Sequence, residues 1–263
     1  MRLNYSKYIE IDGHSVFSYE WADNGEAVLL LHGGLSQTNH YEQYILPAIG
    51  DGFHPFAYDR TAHGFTGDRE GSLHFEYQKR EAISFLETVV KEPAHLIGYS
   101  DGAIIALLVA IERPDLVQSI VAIGGNYHFS GTLPMPDFDG NISPEDQEEY
   151  NNTSPDAPHT LVEKIIRMSA IWKSEPNMSK EDLAKIQCPV LVLAGDDDVI
   201  DHHHTVELFE SLALGQLAII PGTSHSVVKE KPALAQAIIA QFLDDLSYPQ
   251  TSMPVRRVSN QPE

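Results

Sequence analysis

Residues 94–102 read Ala94-His95-Leu96-Ile97-Gly98-Tyr99-Ser100-Asp101-Gly102, and the chain continues into the apolar run 103–111. A short apolar run, a G-x-S-x-G pentapeptide and a segment with apolar residues at three- and four-residue spacing predict a strand that turns sharply into a helix. Such a turn thrusts its central residue forward and crowds the backbones beside it. The positions two before and two after must therefore lack bulk, and Gly98 and Gly102 meet that need. Ser100 reads as a serine presented for nucleophilic attack, and the N–H of Asp101 as a donor toward a developing oxyanion.

A serine hydroxyl is a poor nucleophile until a base takes its proton, so a histidine and an orienting carboxylate are needed elsewhere, in the order serine, acid, histidine. Downstream, the run 191–194 ends in Gly195-Asp196-Asp197-Asp198, and the next apolar run ends in Pro221-Gly222-Thr223-Ser224-His225. Reactive groups in α/β sheets gather at the C-terminal ends of strands, which lets Ser100, one aspartate of 196–198 and His225 converge. Upstream, Leu29-Leu30-Leu31-His32-Gly33-Gly34 ends another apolar run in a glycine turn that can aim a backbone N–H, that of Gly34, at the same oxyanion.

Around these landmarks short apolar runs alternate with amphipathic segments. Runs at 28–31, 53–58, 94–97, 117–123, 190–193 and 217–220 predict buried strands, and 73–90, 103–111, 205–212 and 232–246 predict helices. Residues 8–11 and 16–21 flank Asp12-Gly13-His14 and predict an opening hairpin. The fold class is therefore α/β, with a mostly parallel central sheet flanked by helices. Residues 125–186 break the alternation. They are rich in Pro, Asp, Asn and Glu, with helix-like stretches only at 160–173 and 179–185, and predict a small helical insertion between core segments 1–124 and 187–246. The tail 247–263 lacks apolar periodicity and is expected to be disordered.

The 263 residues carry 38 acidic against 17 basic side chains, a formal net charge of -21. That balance repels phosphate backbones and anionic headgroups, which argues against nucleic-acid or membrane partners and leaves a small-molecule substrate. No secretion signal is read at residues 1–11, so a cytoplasmic location is expected. Cys188 is the only cysteine, so no thiolate cluster can bind a metal, and it reads as buried filler. The run His202-His203-His204 after Asp201 reads as a helix start, because adjacent residues on a helix cannot face one ion. No metal and no cofactor are expected.

These motifs resemble those of the α/β-hydrolase superfamily, and the resemblance covers residues 8–246. His32-Gly33-Gly34 resembles its oxyanion loop, and residues 59–66, Asp59-Arg60-Thr61-Ala62-His63-Gly64-Phe65-Thr66, resemble its D-x-R-G-x-G-x-S turn, with Thr61 and Ala62 where the family has arginine and glycine. Gly195–Asp198 is similar to the family's G-x-x-D turn, and that register implies Asp198 as the acid. His32 is then expected to order the oxyanion loop.

The resemblance also implies that 125–186 is a cap over the site. Leu35 and Tyr99, with Tyr127, Phe129, Met168 and Trp172 of the cap, are the expected substrate-binding residues, although Met168 and Trp172 also suit packing of cap on core. The elbow Tyr99-Ser100-Asp101-Gly102 most resembles a valacyclovir-hydrolase-like branch, which implies Asp101 as a candidate for holding a substrate ammonium. The plainer reading turns its carboxylate to solvent or to the helix start. Serine at the elbow disfavours the aspartate-dependent epoxide hydrolases and haloalkane dehalogenases. The expected activity is hydrolysis of a small carboxylic ester or lactone by Ser100, Asp198 and His225. Carbon–carbon hydrolysis on the same triad and a ligand receptor with little turnover are the alternatives.

Overall fold

Strand β3 (Glu26–Leu31) is deeply buried, with Ala27 through Leu31 removed from solvent. Each leucine buried there contributes about 1.5–3 kcal/mol of transfer free energy, which a parallel sheet covered on both faces supplies. The computed structural model describes residues 3–134, 136–247 and 251–255. The strands are β1 (Leu3–Ile11), β2 (His14–Trp21), β3, β4 (Phe53–Asp59), β5 (Ala94–Tyr99), β6 (Val117–Ile123), β7 (Val190–Asp197) and β8 (Gly215–Ser224). They form one eight-stranded sheet in the order β1-β2-β4-β3-β5-β6-β7-β8.

The opening hairpin β1–β2 is antiparallel, as is the β2–β4 pair, and every later pairing is parallel. The hairpin turns at Asp12 and Gly13, both with positive φ, as a tight turn between twisted strands requires. Register then sets the site. Leu31 pairs with Gly98, Tyr99 with Ile123, Ile123 with Leu193, and Asp197 with Ser224, so β3, β5, β6, β7 and β8 end along one edge.

The helices are α1 (Tyr41–Tyr44), α2 (Phe75–Phe85), α3 (Asp101–Glu112), α4 (Pro144–Thr153), α5 (Thr160–Ile171), α6 (Lys180–Leu183), α7 (His202–Glu210), α8 (Val227–Glu230) and α9 (Pro232–Asp244). Two apolar clusters lie on the two sheet faces, one built around α2 and α3 and the other around α9. Asp201 caps α7 by accepting from the backbones of His203 and His204, so the histidine run is a helix start.

The described residues of 125–186 contribute no strand to the sheet and carry α4, α5 and α6. Helix α4 was not expected, because residues 144–153 are polar on every side. Its signal was terminal: Ser143 accepts from the Asp146 N–H, and Pro144 occupies the first turn. Of the tail expected to be disordered, 248–250 and 256–263 lie outside the described residues, and 251–255 are exposed without regular structure.

Candidate active site

Ser100 stands between β5 and α3 with φ 54°, a left-handed conformation that a non-glycine residue adopts only where its surroundings impose it. The surroundings are the two glycines. A Cβ on Gly98 would lie 2.2 Å from the Gly102 carbonyl oxygen, and one on Gly102 would lie 1.8 Å from that of Leu31. The Ser100 N–H donates to Ile123 O at 2.8 Å, anchoring the turn to the neighbouring strand.

His225 follows β8, and its Nε2 lies 3.0 Å from Ser100 Oγ. Its Nδ1 lies 2.7 Å from Asp198 Oδ1, which also accepts the Ile200 N–H at 3.1 Å. The Tyr99 hydroxyl donates to the His225 carbonyl at 2.9 Å and holds the histidine loop against the elbow. Burial pushes the Asp198 carboxyl up, but the His225 bond and the Ile200 N–H outweigh it and hold the group below its ordinary value. Of the three adjacent aspartates only Asp198 reaches the histidine. Asp196 is exposed and accepts from the Thr223 backbone, and Asp197 is exposed.

The glycine turn after β3 is braced from below. His32 is buried with Nδ1 2.8 Å from Gly33 O, and its Nε2 accepts the Arg60 backbone N–H at 3.0 Å. Burial, with Arg60 and His63 nearby, holds its pKa far below the ordinary value, so His32 is a neutral brace. The fully buried Arg60 side chain donates to Gly33 O at 2.8 Å. Asp59 accepts from the backbones of Thr38 and Phe65 and from the Tyr19 hydroxyl, fastening the turn after β4 to the same loop. Ala62 takes φ 73° there without glycine, and Thr61 bonds the buried Glu81 through its N–H and hydroxyl.

Gly34 and Asp101 meet closely: a Cβ on Gly34 would lie 2.3 Å from Asp101 Oδ2. As the first residue of α3, Asp101 has an N–H with no intrahelical acceptor. Its side chain departs from the plainer expectation. It is 2% exposed, neither turned to solvent nor capping the helix, and Trp172 Nε1–H donates to its Oδ1 at 2.9 Å. Oδ2 has no hydrogen-bond partner among the described residues, and burial raises the carboxyl above its ordinary value. Trp172 and Gly34 thus enclose the carboxylate.

The residues expected to bind substrate divide sharply. Leu35, with φ 51°, lines a cavity of about 330 Å³ between the loop after β3, the turn after β4, and helices α4 and α5. Tyr99 and Trp172 touch the elbow and Gly34 as described. Tyr127 does not line that cavity: it is buried, stacks on His204 and donates to Glu207 at 2.8 Å. Met168, a residue of α5, is fully buried in the core, and Phe129 stacks on His128. Apolar residues that pack cap on core and those that line a cavity have the same sequence pattern.

The chain belongs to the alpha/beta hydrolase family, whose model matches residues 28–237. It is 22% identical to (E)-2-((N-methylformamido)methylene)succinate hydrolase of Acinetobacter baylyi, over 91% of this chain and 98% of that protein. It is 24% identical to human monoglyceride lipase, over 89% of this chain and 87% of that protein. Among solved structures it is similar to the CarC serine hydrolase of carbazole degradation, with a TM-score of 0.75 and 19% identity over 92% of this chain and 99% of that one. No helix of the described residues is long and apolar enough to cross a membrane, and these residues hold no cluster of three metal-ligating side chains.

Proposed function

We propose that this protein hydrolyses a small-molecule carboxylic ester or lactone through an acyl-serine intermediate. The observation that carries the reading is the continuous chain Ser100–His225–Asp198, with 3.0 Å and 2.7 Å links, set on a strained elbow. His225 Nε2 takes the Ser100 proton as Oγ attacks the carbonyl carbon. Asp198 holds the imidazole and stabilises the imidazolium, and the N–H groups of Gly34 and Asp101 receive the oxyanion. The imidazolium protonates the departing alkoxide. Water, deprotonated by the same histidine, then attacks the acyl carbon, releasing the acid and restoring Ser100. No step needs a metal or cofactor.

Hydrolysis of a chromogenic ester panel of graded acyl length, with Ser100→Ala purified in parallel, tests this reading. Turnover by wild type and a loss of about 10³-fold or more in the variant support it. Equal turnover by both proteins, or none by either together with no labelling of Ser100 by a fluorophosphonate, overturns it. Turnover of a vinylogous diketone with no ester cleaved would assign the triad to carbon–carbon hydrolysis instead.

A further inference from the structure

Arg60 is a fully buried guanidinium, and among the described residues no carboxylate is ion-paired with it. A buried charge without a counter-charge in contact is costly to the fold, and its donors show where it acts.

Those donors go to neutral acceptors. Nη1 donates to Gln78 Oε1, and Gln78 is turned that way by its own Nε2 donating to Leu73 O at 3.0 Å. Nη2 donates to Gly33 O at 2.8 Å. His32 Nδ1 lies 2.8 Å from the same oxygen. Because His32 Nε2 accepts the Arg60 backbone N–H, the ring proton sits on Nδ1 and is donated to Gly33 O. That carbonyl therefore receives two hydrogen bonds, one of them from a full cation.

Gly33 O and the Gly34 N–H belong to one trans amide plane, in which they point in opposite directions. Holding the oxygen down on Arg60 and His32 turns the N–H away from the brace. The peptide borders the nucleophile, since a Cβ on Gly33 would lie 3.5 Å from that of Ser100. A cation at the carbonyl oxygen draws electron density from the amide nitrogen and makes its N–H a stronger donor. The site has a specific use for this. A Cβ on Gly34 would lie 2.3 Å from Asp101 Oδ2, and a carboxylate so close opposes a developing oxyanion unless a buried cation offsets it.

From this arrangement we infer that Arg60 is a positioning residue for the reaction. Through the Gly33 carbonyl its charge orients and polarises the Gly33–Gly34 peptide and so strengthens the Gly34 N–H toward the oxyanion. The inference rests on the acyl-serine reading for the chemistry that forms this oxyanion.

The test compares wild type with Arg60→Lys, which keeps the charge, Arg60→Gln, which keeps a neutral donor, and Arg60→Met, which keeps neither. On the best ester the two uncharged variants are expected to lower kcat about 10–100-fold, less than loss of a whole oxyanion donor, with KM within about threefold. Arg60→Lys should recover at least about fivefold of that loss. Binding is read with a trifluoromethyl ketone, whose carbonyl carbon takes Ser100 Oγ and whose oxygen takes the negative charge, and with the matching alcohol, which forms no oxyanion. The uncharged variants should weaken the ketone by about the factor lost in kcat and leave the alcohol within about threefold, a split that a merely structural role would not produce. Should Arg60→Met fail to accumulate, Arg60→Gln and Arg60→Lys carry the comparison.

Unchanged kcat and ketone affinity in Arg60→Gln, equal weakening of ketone and alcohol, or Arg60→Lys no better than Arg60→Gln overturns the inference, while ester turnover by wild type leaves the hydrolase reading intact. A ketone weakened selectively in the uncharged variants, with no ester turned over by wild type, sustains the inference and overturns ester hydrolysis. Neither ketone binding nor ester turnover by wild type overturns both.

Discussion

The indole N–H of Trp172 donates to Asp101 Oδ1 at 2.9 Å, tying the end of helix α5 to the residue that follows Ser100. The inserted segment is thereby attached to the elbow by a polar contact in a buried site, where a lone carboxylate would be costly. The same carboxylate sits under Gly34, so the bond holds three parts of the site together.

Trp172→Phe removes the carboxylate's indole donor. It should destabilise the protein by about 1–3 kcal/mol in urea unfolding, and adding Asp101→Asn should recover part of that loss because an uncharged amide is cheaper to bury. Strictly additive effects in the double-mutant cycle would show that the two side chains are not coupled.

Asp198→Asn should lower kcat by about 10³–10⁴-fold with the fold retained, while Asp196→Asn and Asp197→Asn should stay within about threefold of wild type. Steady-state kinetics on the best ester of the panel makes the comparison. A large loss at Asp197 would mean that the orienting carboxylate has been misassigned.

Gly102→Ala places a methyl group 1.8 Å from the Leu31 carbonyl oxygen, and Gly98→Ala places one 2.2 Å from that of Gly102. Backbone has to move in either case, so each variant should be destabilised by more than about 4 kcal/mol or fail to accumulate as soluble protein. Near-native melting of either variant would refute the crowding at the elbow.

Burial pushes the Glu81 carboxyl from its ordinary 4.5 up to about 7, against the Thr61 hydrogen bonds that favour the ionised form. Below the unfolded value both states are protonated and stability is full. As pH rises through about 7 the folded state must carry a buried charge, and stability of the order of 3 kcal/mol is lost. Glu81→Gln stays neutral, so its Tm relative to wild type should climb between about pH 5 and pH 8. Parallel Tm curves for the two proteins would contradict this assignment.

Much of the site was legible because it rests on local constraints. Gly98 and Gly102 betray the elbow through sterics within a few residues, and apolar runs of fixed period betray the strands whose ends carry Ser100, Asp198 and His225. Helix α4 escaped because its faces are all polar, leaving only the Ser143-Pro144 start as a signal. With it went Asp146 and Glu149, the acidic residues of the cavity wall. Tyr127 and Met168 were expected on that wall and lie in packed interior, since an apolar side chain reads the same in either place.

By itself the sequence determined the α/β order of elements, the strained serine turn and the histidine that follows the last strand, because each depends on backbone sterics or periodicity within a short window. Only the tertiary structure decided which of three aspartates meets His225, where the Asp101 carboxylate goes, and that Gln37 lies beside Glu149. Those outcomes depend on burial and on contacts between residues distant in the chain, 27 positions apart for Asp198 and His225, 71 for Asp101 and Trp172 and 112 for Gln37 and Glu149. Desolvation and hydrogen-bond partners are set there by what the folded chain brings alongside, which no local pattern contains.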